Sequence, residues 1–319
     1  MTGTPAPRSA PAPLPAPVVR NVRALTDGTA WIDALPGILE RLCAEWELDP
    51  GRPFDGGSCS WAAPVTTADG GRAVLKVSYP HREARGEGAA LRFWDGAGAV
   101  RLLRSSPDGF ALLLEACEPG GRLKDAEGPP EDLLTAAAHA LAGLWSRGSG
   151  EGLGLERVGD VVAEWAVLTR ERFARLRPDP RVFDPRLVEL GAGLLESLPA
   201  TATRTVAVHG DFNPGNILAA TRTPWLAIDP KPMVGDPGYD PWPLLMQVDP
   251  PGGHADPKAV FRHRFALVAD VLGEPVERLL AWAFARAVES SFDLLDTGFT
   301  EEAEQEMTEA RVLADTAGL

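Results

Sequence analysis

The sequence predicts an α+β protein of two lobes, a small antiparallel-sheet N-lobe followed by a mainly helical C-lobe. Between Arg52 and Tyr79, glycine-rich turns separate short extended runs. From Leu133 onward the apolar residues recur mainly at helical spacing, and Glu118-Pro119-Gly120-Gly121 breaks the chain between the two patterns. A length of 319 residues suits two such units at roughly 150 residues each. The expected boundaries are a tail over 1–24, the N-lobe over 25–117 and the C-lobe over 118–319.

The first 18 residues hold six prolines and no charged stretch leading into an apolar one, so 1–24 reads as a disordered Pro/Ala-rich tail rather than a signal peptide. Trp31, Leu35, Ile38, Leu39, Leu42 and Trp46 then repeat at helical spacing, with Pro36 expected in the first turn. Gly56-Gly57-Ser58 and Ala68-Asp69-Gly70-Gly71 read as turns, and Ala73-Val74-Leu75-Lys76-Val77 as a strand. A helix is expected over 82–94, ending at Asp95-Gly96, with strands over 100–103 and 110–114. Beyond the break the pattern predicts helices over 133–145, 161–173 and 187–198. A hairpin over 216–219 and 225–228 follows, then helices over 258–272, 275–295 and 301–314.

Acidic residues outnumber basic ones by 45 to 31, a net charge of −14 that argues against nucleic-acid or anionic-membrane partners. A cationic small-molecule acceptor is compatible with it. Cys43, Cys59 and Cys117 are odd in number and lack metal-ligand or CxxC spacing, so a reduced, cytoplasmic setting is expected. No apolar run approaches the ~20 residues a membrane span needs.

The chemistry concentrates in His209-Gly210-Asp211-Phe212-Asn213-Pro214-Gly215-Asn216 and in Asp229, which ends the apolar run Trp225-Leu226-Ala227-Ile228. Carboxylates wedged between apolar strands are poor core material, because burying them unpaired is costly. Phosphoryl transfer needs this set: one Asp to accept a hydroxyl proton, and an Asn and a second Asp to hold a metal against the phosphates.

The pattern H-G-D-x-x-x-x-N followed by I-D-P resembles the aminoglycoside phosphotransferase family, relatives of the protein kinases, and is most like the streptomycin phosphotransferase branch. The likeness runs over about residues 28–300 and includes Ala30-Trp31-Ile32 and Gly235-Asp236-Pro237-Gly238-Tyr239-Asp240. It implies a bilobal protein-kinase-like fold that uses ATP and Mg²⁺, with Asp211 as catalytic base, His209 bracing its loop, and Asn216 and Asp229 as metal ligands. It also implies a nucleotide-binding N-lobe. There Lys76 would reach the α- and β-phosphates and Glu87 would orient it. Gly56, Gly57 and Ser58 would form a flap, and Glu115 to Cys117 would offer backbone hydrogen bonds to adenine.

An isolated lysine in such a strand would read as an outward-facing edge residue. Glu87 in the next helix shifts the reading to a Lys76–Glu87 pair, with Glu83 one turn earlier as the competing partner. The chain departs from the family at Asn213-Pro214, just past the base, and carries Lys231 where protein kinases have a small residue. Two readings of Lys231 stand, a phosphate contact or a neutraliser of Asp229 and Asp236.

Between Ala287 and Ala310 lie eight acidic residues and no Lys or Arg. Glu289, Asp293 and Asp296 share one helix face, either a solvated surface or, as the resemblance implies, the wall of an acceptor pocket. The leading expectation is an ATP-dependent phosphotransferase acting on a hydroxyl of a streptomycin-like aminoglycoside and conferring resistance. The competing expectations are a kinase for another cationic or sugar-like acceptor, a metal-dependent phosphoesterase built on His209, Asp211, Asp229 and Asp236, and a silent kinase-like binding protein.

Overall fold

The computed structural model describes residues 14–319, so the expectation of disorder over 1–13 lies outside the described residues. Within 14–24 that expectation is corrected. Helix α1 (Ala16–Arg23) forms there, with Val18 and Val22 one turn apart and both fully buried. Proline in the first turn suits a helix start, since its missing N–H would be unpaired there anyway. Helix α2 (Gly28–Glu45) begins earlier than the tryptophan periodicity suggested, which puts Pro36 inside the helix rather than in its first turn. The early start depends on Gly28: a Cβ there would fall 1.7 Å from the Val22 carbonyl oxygen. Burial of Leu35, Leu39, Leu42 and Cys43 offsets the backbone bond that Pro36 omits.

The chain divides into two compact units, the first ending at Glu118 and leaving Ala97–Ala99 to the second. In the first unit, β1 (Asp49–Pro50), β2 (Ser60–Thr66), β3 (Arg72–Ser78), β4 (Leu102–Ser105) and β5 (Ala111–Glu115) make an antiparallel sheet of order β1-β2-β3-β5-β4. Alternation along β2 buries Trp61, Ala63 and Val65 in one core with Leu35, Leu39 and Leu42 of α2. Between β3 and β4, a single 3₁₀ turn (Glu83–Gly86) leads into α3 (Glu87–Trp94), where one continuous helix was expected.

The second unit opens with β6 (Pro119–Arg122), which pairs with β9 (Ile217–Ala220). The Pro-Gly-Gly stretch expected as a free linker is therefore an edge strand, a place proline tolerates because no ladder bond needs its N–H. Helices α4 (Pro130–Trp145), α5 (Val158–Leu176) and α6 (Pro185–Ser197) follow, with the two-residue β7 (Glu156–Arg157) just before α5. Two small sheets then carry the loops of interest. One has the order β10-β9-β6, with β10 spanning Trp225–Ala227. The other joins β7, β11 (Met233–Gly235) and β8 (Val206–Val208). Helices α7 (Trp242–Gln247), α8 (Pro257–Leu272), α9 (Val276–Asp296) and α10 (Thr300–Ala317) complete it. Central α9 buries Trp282, Phe284, Val288 and Phe292. Among the described residues, no helix is long and apolar enough to cross a membrane.

Candidate active site

Strand β8 delivers His209 fully buried at its end, and β9 takes up the chain again at Ile217, so residues 209–216 form a loop anchored at both ends. The Asp211 amide donates to His209 Nδ1 at 3.3 Å, which leaves Nε2 protonated and donating to the Ile228 carbonyl oxygen at 3.1 Å. Burial holds the imidazole below its ordinary pKa, against the pull of Asp240, Asp211 and Asp229. His209 is thus a neutral brace with both ring nitrogens engaged. Its ring also meets Phe212 edge-on at 5.4 Å.

Asp211 itself stays partly exposed, its side chain at 27%. Asn213 Nδ2 donates to Oδ1 at 2.9 Å, and Asn216 Nδ2 donates to Oδ2 at 3.2 Å and to the Asp211 carbonyl oxygen at 3.1 Å. Lys231 Nζ lies 3.5 Å from Oδ2. Asn213 also accepts from the Gly215 amide at 2.8 Å, capping the short Pro214–Asn216 turn. Asn213 thus uses its side chain to order the loop, and proline costs the following turn no donor it needed.

Beneath the loop lie two buried carboxylates. Asp240 accepts from the His209 and Gly210 amides, both at 2.8 Å, and from Trp145 Nε1 at 3.1 Å. Burial pushes its carboxyl up, while these N–H donors pull it back toward the ionised form. Asp236 accepts from the Gly238 amide at 3.0 Å, from Trp282 Nε1 at 2.6 Å and from the Arg278 guanidinium. Arg286 completes the turn: it donates to the Tyr239 carbonyl oxygen at 3.1 Å and stacks on Tyr239 and Trp242 at 4.0 and 4.7 Å. Trp145, Arg278 and Arg286 are distant in sequence and gave no motif signal. The phosphoesterase expectation fails on these bonds, since His209 and Asp236 have their donor atoms committed.

Asn216 and Asp229 lie at the open end of the β9–β10 hairpin, one on each side. Ile217 pairs with Ala227, and the Ile228 amide donates to the Asn216 carbonyl oxygen at 2.9 Å, which puts Asn216 opposite Ile228, next to Asp229. Asp229 has φ of +56°, a left-handed conformation Asp tolerates better than most residues, and the chain turns there out of the hairpin. With its Nδ2 occupied, Asn216 offers its amide oxygen, and Asp229 offers a carboxylate. Hard oxygen donors in so small a number fit Mg²⁺, which is held by one or two protein groups plus phosphates. Among the described residues there is no cluster of three His, Cys, Asp or Glu able to hold a metal.

In the first unit, Lys76 and Glu87 are both buried, 8% and 2% exposed, and Lys76 Nζ lies 2.7 Å from each Glu87 carboxylate oxygen. The lysine faces inward. Its register opposite Ala62 and Leu112, small and apolar, explains why the ammonium must find a carboxylate on α3. Gly56, Gly57 and Ser58 lie in the exposed loop between β1 and β2, where Gly57 adopts φ of +114°. Glu115 ends β5 and accepts from the Arg101 amide at 2.9 Å, and Cys117 follows, half-buried.

The acidic row of α9 is matched by arginines that sequence reading overlooked. Arg172 lies 3.7 Å from Glu289, 2.7 Å from Asp293 and 3.2 Å from Asp296, and Arg175 lies 2.6 Å from Asp296. Their one-turn spacing on α5 was the available signal. Burial pushes Glu289 up to about 7. Both Glu289 and Asp211 act on the buried Tyr239 hydroxyl, which is raised chiefly by burial.

Residues 45–298 match the family described as aminoglycoside/hydroxyurea antibiotic resistance kinase. A streptomycin 6-kinase of Streptomyces glaucescens is 36% identical over 275 residues, covering 85% of this chain and 87% of that one. A hydroxyurea phosphotransferase of Kitasatospora aureofaciens is 35% identical, covering 91% and 82%. Among solved structures, an aminoglycoside 2'-phosphotransferase-IIIa in complex with GDP superposes with a TM-score of 0.59 at 16% identity, covering 88% of this chain and 98% of that one. The fold is protein-kinase-like and the chain is a phosphotransferase. By the span and identity of these matches, it belongs to the aminoglycoside/hydroxyurea antibiotic resistance kinase family.

Proposed function

We propose that the chain transfers the γ-phosphoryl group of ATP to a hydroxyl of a streptomycin-like aminoglycoside, inactivating the antibiotic and conferring resistance. The carrying observation is Asp211, a partly exposed carboxylate aimed by Asn213 and Asn216 and set on a buried neutral histidine. In the step, the acceptor oxygen bonds to the γ-phosphorus while the bond from that phosphorus to the β–γ bridging oxygen breaks. ADP leaves, and the hydroxyl proton passes to the Asp211 carboxylate. His209 stays neutral and fixes the loop. Asn216 and Asp229 would hold Mg²⁺, whose chemistry is to neutralise charge on the phosphate oxygens.

Lys76 binds the α- and β-phosphates in this reading and Glu87 orients it, with Gly56, Gly57 and Ser58 covering the phosphates and the Glu115–Cys117 backbone contacting adenine. Glu289 is the acceptor-side carboxylate, since Arg172 engages it less closely than it engages Asp293 or Asp296. A cationic acceptor would favour its ionised form. Asp293 and Asp296 hold Arg172 beside it. The hydroxyurea phosphotransferase at comparable identity makes hydroxyurea a second acceptor to test.

The test is incubation with ATP, Mg²⁺ and a panel of streptomycin, other aminoglycosides and hydroxyurea, followed by mass spectrometry of the acceptor. One added phosphoryl group on streptomycin is expected. ADP production with every acceptor unmodified would refute the assignment.

A further inference from the structure

We infer that Lys231 is a catalytic cation of this site, contacting the transferred phosphoryl group as well as the base. This rests on the function proposed above. The segment Asp229-Pro230-Lys231-Pro232 places a lysine between two prolines, so its backbone has little freedom. That backbone is fastened to the catalytic loop: the Lys231 amide donates to the His209 carbonyl oxygen at 2.8 Å. The Lys231 carbonyl lies against Gly210, where a Cβ would fall 1.9 Å from its oxygen and where φ is +84°. A side chain at 210 would therefore push Lys231 away from Asp211.

The side chain ends 3.5 Å from Asp211 Oδ2. Asp236 does not need it, because Arg278, Trp282 and the Gly238 amide already occupy that carboxylate. The charge of Lys231 therefore acts on Asp211 and on Asp229, two residues before it, which both belong to the proposed phosphoryl-transfer site. Stability does not account for it either: the lysine side chain is 41% exposed, and ion pairs so open to water contribute little. An ammonium is a compact charge with three donors, so it can contact Asp211 and a second anion together.

In the transfer, Asp211 gains a proton and loses its charge, while the transferred group carries charge on its equatorial oxygens next to the same carboxylate. Lys231 then exchanges a partner that weakens for one that strengthens, an interaction larger in the transition state than in the ground state. It takes no part in bond making or breaking.

The experiment compares full-length wild type, Lys231→Met and Lys231→Arg with ATP–Mg²⁺ and streptomycin. It measures kcat, both KM values and ATP affinity by calorimetry. Lys231→Met should lower kcat about 100-fold with ATP affinity unchanged, and Lys231→Arg should recover part of the loss. An unchanged kcat, or a loss matched by equally weakened ATP binding, overturns the inference. If wild type leaves streptomycin unmodified, the proposed acceptor fails on its own. Slow transfer to water, read as phosphate release, then tests Lys231 by the same comparison. A wild type that shows neither reaction overturns both.

Discussion

Asp236 and Asp240, in the turn after β11, are buried and receive their hydrogen bonds from fixed N–H groups: backbone amides, two indoles and a packed guanidinium. On α9, Glu289, Asp293 and Asp296 remain partly exposed and share the side chains of Arg172 and Arg175. Both regions place several carboxylates close together, but only the first leaves each oxygen a single geometry. Directional donors in a dry interior fix the position of whatever they hold, here the His209 and Gly210 backbone. Arg172, its side chain 15% exposed, divides its contacts among three carboxylates and so neutralises charge without fixing any one of them. The turn therefore aims the loop that carries Asp211, and the α9 row adjusts the charge of a surface.

The largest effect should come from Asp240→Ala, which orphans three buried N–H donors. At about 1–3 kcal/mol per donor, denaturant melts should show a loss of several kcal/mol, and transfer activity should fall with it. Stability close to wild type would remove the distinction between the two regions. Lys76→Ala, in the other unit, should come next. It strands the buried Glu87 carboxylate at a cost of roughly 3–5 kcal/mol. Lys76→Ala combined with Glu87→Ala should recover part of this in the same melts, because no unpaired charge is left behind.

Arg172→Ala should cost only about 1 kcal/mol, since Asp293 and Asp296 are open to water, yet it should change KM for a cationic acceptor by freeing Glu289 and Asp293 while Arg175 still holds Asp296. A drop as large as that of Asp240→Ala would mean that the row is structural after all. The smallest effect is a pH dependence. Burial holds Glu289 and Glu306 at about 7 in the folded chain against 4.5 for an ordinary glutamate. The folded state therefore binds these protons more tightly than the unfolded state. This contribution is fully present below pH 4.5 and is lost as pH rises through about 7. Thermal melts of Glu306→Gln, whose partner is Ser290 Oγ at 3.0 Å, should show a weaker decline over that window than wild type.

Local pattern and long-range pairing differ in how far the sequence reveals them. The strand around Lys76, the amphipathic helices and the hairpin between Asn216 and Asp229 were legible because each announces itself within a dozen residues. Strands β8 and β11, three residues each, carry too little alternation to read, and they exist because they pair with each other. Helix α1 was hidden by the proline content around it. Within the site, Asp211, Asn216, Asp229 and His209 stood out as polar residues at apolar strand ends. Their supports did not: Trp145, Arg278 and Arg286 reach the same turn from α4 and α9 and look like ordinary helix residues in sequence. The acidic row was visible, whereas its neutralisation by Arg172 depends on the packing of α5 against α9.

The central claim is that Asp211 accepts the proton of the acceptor hydroxyl in transfer from ATP. The most direct measurement is the rate of streptomycin phosphorylation at saturating ATP–Mg²⁺ for wild type and Asp211→Ala, with ATP affinity measured on both. A roughly 10²–10⁴-fold loss of kcat with ATP binding retained is the predicted result. Phosphorylation by Asp211→Ala at a rate close to wild type would contradict the account.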